Sequence, residues 1–300
     1  MYKSSIFVSG LVNIESSVPI GSFPIYDNSD TEYLFNGISN TVSGVGYNVS
    51  KALQTLGDDV HLHTLIGQDP FGKVVVEELQ KNGIGIEGVY HFLDATPHSV
   101  ILYDREKKQK ILCDLKNIQT TSYPDAFMYD ISYDVAILTN VNFSREFFKR
   151  FSHSKTLVAT DCHVLKDINS KYDKEFLENA DIVFMSNEAI KGREYDFIKE
   201  LIRAYNHIII VISMGDQGSI IFDREADSIK KVDARVVRPI VNTIGAGDAL
   251  FSSFLHFYIA GLDSLDAINL ATYFASYKIG ANGGAEGFLT EDQLLDLANY

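Results

Sequence analysis

Cysteine, positive charge and long apolar runs are all in short supply in this chain. Cys113 and Cys162 are the only cysteines in 300 residues, far apart and with no paired spacing. That excludes a disulfide framework and a cysteine-based metal motif, and predicts two reduced thiols in a cytoplasmic protein. Lys and Arg together number 26 against 40 Asp and Glu, for a net charge of −14. So acidic a surface repels a phosphate backbone and argues against nucleic-acid partners. It leaves room for a local anion pocket built from backbone N–H groups. No apolar run reaches the roughly 18 residues of a membrane span, so no membrane association is expected. The short run Ile6 to Val12 soon meets Glu15, too brief for a secretory leader. No fixed-period repeat and no low-complexity tract is present.

With those classes set aside, length allows one large α/β domain over 1–300, alone or with a small appendage. Apolar content of 46% and charged content of 22% are ordinary for a globular chain. Val60 to Ile66, Asp134 to Thr139, Thr156 to Thr160, Asp181 to Met185 and His207 to Ser213 read as strands. Several are almost wholly apolar, as parallel strands covered on both faces are. In Val45 to Leu56, apolar residues fall at helical spacing and Gly57 is placed as a C-cap. Asp69-Pro70 gives an N-cap with proline at the first helical position, for a helix over Phe71 to Asn82 with Gly83 as the stop. The series predicts a doubly wound α/β/α three-layer sandwich. Residues about 12–42 and 95–116 break the rhythm with strands and no helix; His98 to Leu115 is a hairpin turning near Glu106 to Lys108. These two segments are expected to form a small β-sheet lid over a cleft.

Asn242 to Phe254, "NTIGAGDALFSSF", places a tight turn, an acid and an apolar helix together. Gly245, Ala246 and Gly247 let the backbone turn and an anion approach. Asp248 is expected to open the helix, beside unpaired N–H groups and the positive dipole end. A carboxylate there can take a proton from an attacking hydroxyl while the amides hold a migrating phosphoryl group.

These residues and two further stretches resemble the ribokinase-like, phosphofructokinase-B type family of carbohydrate kinases. Its late signature is roughly D-T-x-G-A-G-D; here it is Asn242-Thr243-Ile244-Gly245-Ala246-Gly247-Asp248. The early G-G-x-x-x-N helix start reads Ser43-Gly44-Val45-Gly46-Tyr47-Asn48, and Gly67 to Gly72 matches G-x-D-x-x-G. The resemblance spans essentially the whole chain. It implies ATP-dependent transfer of the γ-phosphoryl group to a hydroxyl of a ribose- or fructose-like sugar, with Asp248 as general base and Gly245, Ala246 and Gly247 as anion hole. It also implies nucleotide contacts at Asn187, Ser213, Gly215, Gly218, Thr243 and Asn282, and substrate contacts at Asn13, Glu15, Gly44, Asn48 and Asn142. ATP would arrive with Mg²⁺.

Four positions depart from the pattern. Asn242 replaces an aspartate near which some relatives bind a monovalent cation, which puts a K⁺ requirement in question. Ser43 replaces a glycine, Glu15 replaces a shorter aspartate, and Ile190 stands where the family's N-x-x-E motif, begun here by Asn187, has its glutamate. Asp161-Cys162-His163 is not read as a metal site, because three adjacent strand residues point in different directions. Gly44-Val45-Gly46 is not a dinucleotide fingerprint, since Val49 holds the third glycine position. The alternatives are a nucleoside kinase, with Phe23, Tyr26, Tyr33 and Phe35 walling a base, and a non-catalytic nucleotide- or sugar-binding regulator. Unpaired lid edges suit a homodimer.

Overall fold

Alternate residues along the central strands go to opposite cores, and that alternation builds three layers. In β1 (Ser5–Ser9), Ile6 and Val8 pack into one apolar cluster and Phe7 into the other. The same split recurs in β8 (Val135–Leu138) and β11 (Ile209–Ser213), so both sheet faces are covered by helices. The first cluster takes in α1 (Val45–Leu56), α2 (Pro70–Lys81), α6 (Ala246–Ile259), α7 (Ser264–Lys278) and α8 (Glu291–Ala298). The second takes in α3 (Phe148–Phe151), α4 (Lys174–Asn179) and α5 (Glu194–Ala204). Each wholly buried phenylalanine, such as Phe251 or Phe197, contributes roughly 1.5–3 kcal/mol. The structure is a computed structural model and describes residues 3–25, 31, 33–106, 108–124, 132–152 and 154–300.

The large sheet has nine strands. Parallel pairing runs through β5 (Gly88–Leu93), β4 (Asp59–Gly67), β1, β8, β9 (Leu157–Val164), β10 (Ile182–Ser186) and β11. Beyond β11 the sheet is antiparallel through β12 (Ser219–Asp223) and β13 (Ser228–Val232). A tight turn at Gly215–Gln217 forces that reversal, since a parallel neighbour would need a long crossover.

The small sheet holds four strands in the order β3 (Ser39–Ser43), β2 (Asn13–Pro19), β6 (His98–Tyr103), β7 (Gln109–Asp114). Residues 26–30, 32 and 107 of the expected lid segments lie outside the described residues. The register places Asn13, Ser43, His98 and Asp114 side by side at one end of this sheet, where every connection to the large sheet leaves. A knot secures that end. Asp69, the N-cap of α2, accepts from Gly72 N at 2.8 Å, Thr96 Oγ1 at 2.7 Å and Thr96 N at 2.9 Å. A Cβ on Gly72 would stand 2.2 Å from Gly67 O, so glycine is needed for the fit.

Candidate active site

Helix α6 begins two residues earlier than expected: Gly245 is its N-cap, with φ 75°, and Asp248 sits inside the first turn. A side chain at Gly245 would strain that left-handed conformation and place its Cβ 2.1 Å from Gly284 O. The Ala246 amide is already engaged by Thr243 O at 3.2 Å. The amides of Gly247 and Asp248 therefore head the turn, where no intrahelical acceptor exists. A Cβ on Gly247 would meet nothing within 4 Å, so an anion has open approach to the backbone.

Asp248 is 8% exposed and its Oδ2 accepts from Asn48 Nδ2 at 2.7 Å. Burial pushes its carboxyl up to about 6, against the lowering effect of Asn48, His163 and Lys278. It borders a cleft of about 320 Å³ at the carboxyl ends of β9, β10 and β11, the end at which open α/β sheets bind ligands. Asp161, His163, Ser186, Glu188, Ser213 and the Thr243–Asp248 turn line it, with Gln109 and Ile111 of β7 along the other side. The small sheet thus borders the cleft.

Asp161 and His163 both line this cleft, with His163 Nδ1 3.8 Å from Asp161 Oδ2. The expectation that these neighbours diverge was wrong for this pair: residues two apart on a strand share a face, and only Cys162 turns into the core. His163 holds a left-handed φ of 52°, uncommon for a residue with a side chain. Among the described residues no three His, Cys, Asp or Glu side chains gather as a metal-holding group.

Asn187 is buried and does not line the cleft; its Nδ2 donates to Glu194 Oε1 at 2.7 Å. Ile190 is packed in the core. The carboxylate paired with Asn187 thus comes from the first turn of α5, seven residues on, instead of three. Hydrogen bonding from Asn187 holds the Glu194 carboxyl below its ordinary value against the opposing effect of burial.

On the far side of the Asn48–Asp248 hydrogen bond, Asn13 and Glu15 project from β2 beside Ser43. Asn13 Nδ2 donates to Ser99 Oγ at 2.7 Å and Ser43 Oγ donates to Glu15 Oε2 at 2.9 Å. Asn13 Oδ1 and Glu15 Oε1 are buried without a hydrogen-bond partner. Such atoms are costly to leave unpaired, and they mark where donors of a bound molecule would go. Burial raises the Glu15 carboxyl, opposed by Ser43 and Lys278. Gly44 caps α1 at φ 97°, where a Cβ would lie 2.6 Å from Leu11 O and 3.1 Å from Asn13 Oδ1. One turn later Asn48 reaches Asp248, so the start of α1 and the start of α6 meet at that hydrogen bond.

Other sequence-predicted residues lie apart. Asn142 starts a 3-10 helix, where its Nδ2 donates to Gln119 O at 2.7 Å and its Oδ1 accepts from Arg145 Nε at 3.2 Å. Both groups are spent on neighbouring loops. Thr243, which borders the cleft, also lines a second cavity of about 300 Å³ with Asn282, which lies outside the cleft, and Asn242, whose Nδ2 donates to Asn282 Oδ1 at 3.2 Å. Gly215 and Gly218 lie in the β11–β12 turn outside both cavities; a Cβ on Gly218 would stand 2.0 Å from Val232 O. Tyr33 and Phe35 are fully or nearly fully exposed, and Tyr26 lies outside the described residues.

Sequence reasoning missed Lys278. It is wholly buried, and its Nζ donates to Ile244 O and, at 2.7 Å, to Gly283 O. A lysine inside the apolar stretch "LATYFASYK" was the available signal.

A two-layer-covered parallel sheet, a glycine-capped helix start and a buried acid at its first turn define a kinase of the ribokinase fold. A sequence profile of the pfkB family carbohydrate kinases matches residues 5–291, and the chain belongs to that family. It is 25% identical over 256 residues to the ribokinase of Lactococcus lactis, covering 80% of this chain and 81% of that one. It is 24% identical over 248 residues to an uncharacterized sugar kinase of Archaeoglobus fulgidus, covering 78% and 97%. Among solved structures, a microbiome-derived acarbose kinase, Mak1, superposes with a TM-score of 0.84 at 21% identity over 100% of both chains. A nucleoside kinase of Methanocaldococcus jannaschii gives 0.80 at 17% identity over 99% of both. No helix among the described residues is long and apolar enough to cross a membrane.

Proposed function

We propose that this carbohydrate kinase transfers the γ-phosphoryl group of ATP to a hydroxyl of a small sugar, with Asp248 as general base. The observation that carries this is the Asn48–Asp248 hydrogen bond of 2.7 Å, which sets the acid between the open amide turn and the unpaired acceptors of Asn13 and Glu15. A base with a pKa near the working pH transfers protons efficiently, and burial has moved Asp248 toward that range. The Asn13 and Glu15 oxygens accept from sugar hydroxyls and turn one of them toward Asp248. The amides at the start of α6 receive the phosphoryl oxygens as charge gathers there. Magnesium bound with ATP supplies positive charge to the phosphates; Asp161 and Glu188, the carboxylates besides Asp248 that line the cleft, suit it through water. The small sheet acts as a lid that keeps water from the reaction. Its exposed strand β7 suits pairing with a second copy, in the cytoplasm where both thiols stay reduced.

The experiment is ADP release with ATP-Mg²⁺ across a panel of sugars, preceded by thermal-shift screening. A sugar that both stabilises the protein and stimulates ADP release supports the reading. Stimulation by nucleosides alone moves the assignment to nucleoside kinase, for which the exposed Tyr33 and Phe35 offer ring surfaces. Ligand binding without ADP release from either group means a non-catalytic binder.

A further inference from the structure

Lysine is almost never fully buried unless its charge is paired, yet Lys278 at the end of α7 has no exposed surface. Among the described residues no carboxylate lies within ion-pair distance of its Nζ. Main-chain oxygens hold it instead: Ile244 O, one residue before the α6 cap, and Gly283 O at 2.7 Å. A cation held by backbone carbonyls is how proteins replace the hydration shell of a potassium ion. The surroundings are closed by further ties. Val241 N and Asn242 N donate to Ile279 O at 2.8 and 3.0 Å, and Asn242 Nδ2 reaches Asn282. Burial pulls the ammonium down to about 8, while Asp248, Glu15 and Glu286 oppose that fall, so it carries its charge at neutral pH.

We infer that Lys278 is a built-in monovalent cation: its ammonium joins the Asn242–Gly245 turn to the 280–287 loop, fixes the anion-binding amides, and leaves no place for exchangeable potassium. The inference rests on the kinase reading for its catalytic consequence only. Two carbonyls already accepting from one ammonium have no reason to take a second cation beside it, where like charges repel. Lys278 is a positioning residue: it touches neither phosphate nor acceptor but holds Ile244, and through it Gly245, where Gly284 O leaves space for no side chain.

The test has two arms. Nucleotide affinity is measured by calorimetry on the wild type in potassium, sodium and tetramethylammonium salts at one ionic strength, and turnover is compared in the same salts. Both should agree within about twofold, because an ion with no differential contact shifts nothing. A marked gain in affinity or turnover specific to potassium overturns the inference. Calorimetry needs no acceptor, so a wrong substrate assignment leaves this arm standing. In the second arm, Lys278→Ala should lower kcat by about 10²-fold, as misplacement of a catalytic geometry does, with a smaller change in acceptor KM. Potassium or methylammonium should restore part of it, and neither should rescue Lys278→Met, whose chain fills the space without charge. Wild-type kcat in Lys278→Met, or no rescue of a folded Lys278→Ala, counts against the inference. If both variants fail to fold, the wild-type salt series decides alone.

Discussion

The two ends of the Asn48–Asp248 hydrogen bond are built differently. On the phosphate side the acid is bonded, the helix cap admits only glycine, and a buried ammonium braces the turn. On the acceptor side two buried oxygens have no partner and the adjoining β7 is exposed along its length. The first is held in place before any ligand arrives, as suits chemistry common to every phosphoryl acceptor. The second is completed by its ligand, as suits a region that selects one acceptor from many. Rigid preorganisation lowers a barrier; unpaired acceptors reward the molecule that pairs them and reject one that cannot.

The comparison is sharpest at Asp248. Asp248→Asn should cut kcat by about 10²–10⁴-fold with nucleotide affinity retained, measured by coupled assay and calorimetry. Near-normal turnover would remove the base from the phosphate side. The same variant should unfold at higher temperature at pH 7. Folding raises the pKa of this carboxyl, so its contribution to stability is largest below its unfolded value and is lost as pH rises through about 6. The neutral amide escapes that loss. Glu15→Gln should act on the other side, raising acceptor KM about 10–100-fold while nucleotide affinity holds, in line with a lost hydrogen bond to a charged group. An unchanged KM would place the acceptor elsewhere. Next comes pH: with an acceptor in hand, kcat/KM should be flat just above 7 and fall toward tenfold per unit below about 6, as Asp248 takes up its proton. A profile level down to pH 5 would exclude Asp248 as the titrating base. Smallest is Asn142→Ala, whose acceptor KM should move less than about twofold, since its side chain serves the 3-10 turn, while stability drops by about 1 kcal/mol. A large KM change would extend the acceptor side to that loop.

Local signals made much of the fold legible. Helix α1 runs over the expected Val45–Leu56, and Gly57 caps it in the left-handed region. Asp69 caps α2 over Pro70 with the expected geometry. The Gly-Ala-Gly-Asp turn announced itself because its glycines and acid are adjacent in sequence. Less legible were features made by convergence over long separations. The α6 start was misplaced by two residues because only contact with Gly284 shows that Gly245 must be the cap. Motif spacing pointed to Ile190, whereas Asn187 finds Glu194 one helix turn further on. Alternation along β9 should have shown that Asp161 and His163 share a face. The lysine at 278 looks in sequence like any basic residue ending a helix, and only the fold shows two loops closing over it.

The row formed by Asn13, Ser43, His98 and Asp114 has a mechanical consequence. The small sheet hangs like an awning from one rail, pinned by Asp69 and Thr96, with Tyr103 and Gln109 at its free border. Its strands reach about 17 Å from rail to border at some 3.3 Å per residue, so a swing of about 15° carries that border roughly 4 Å. Travel of that size needs no broken strand pair and no slipped register, and leaves the rail still while Gln109 moves. A single proteolytic nick at the border, near Glu106, would therefore leave every one of those attachments intact, whereas a cut at the rail would sever one of them.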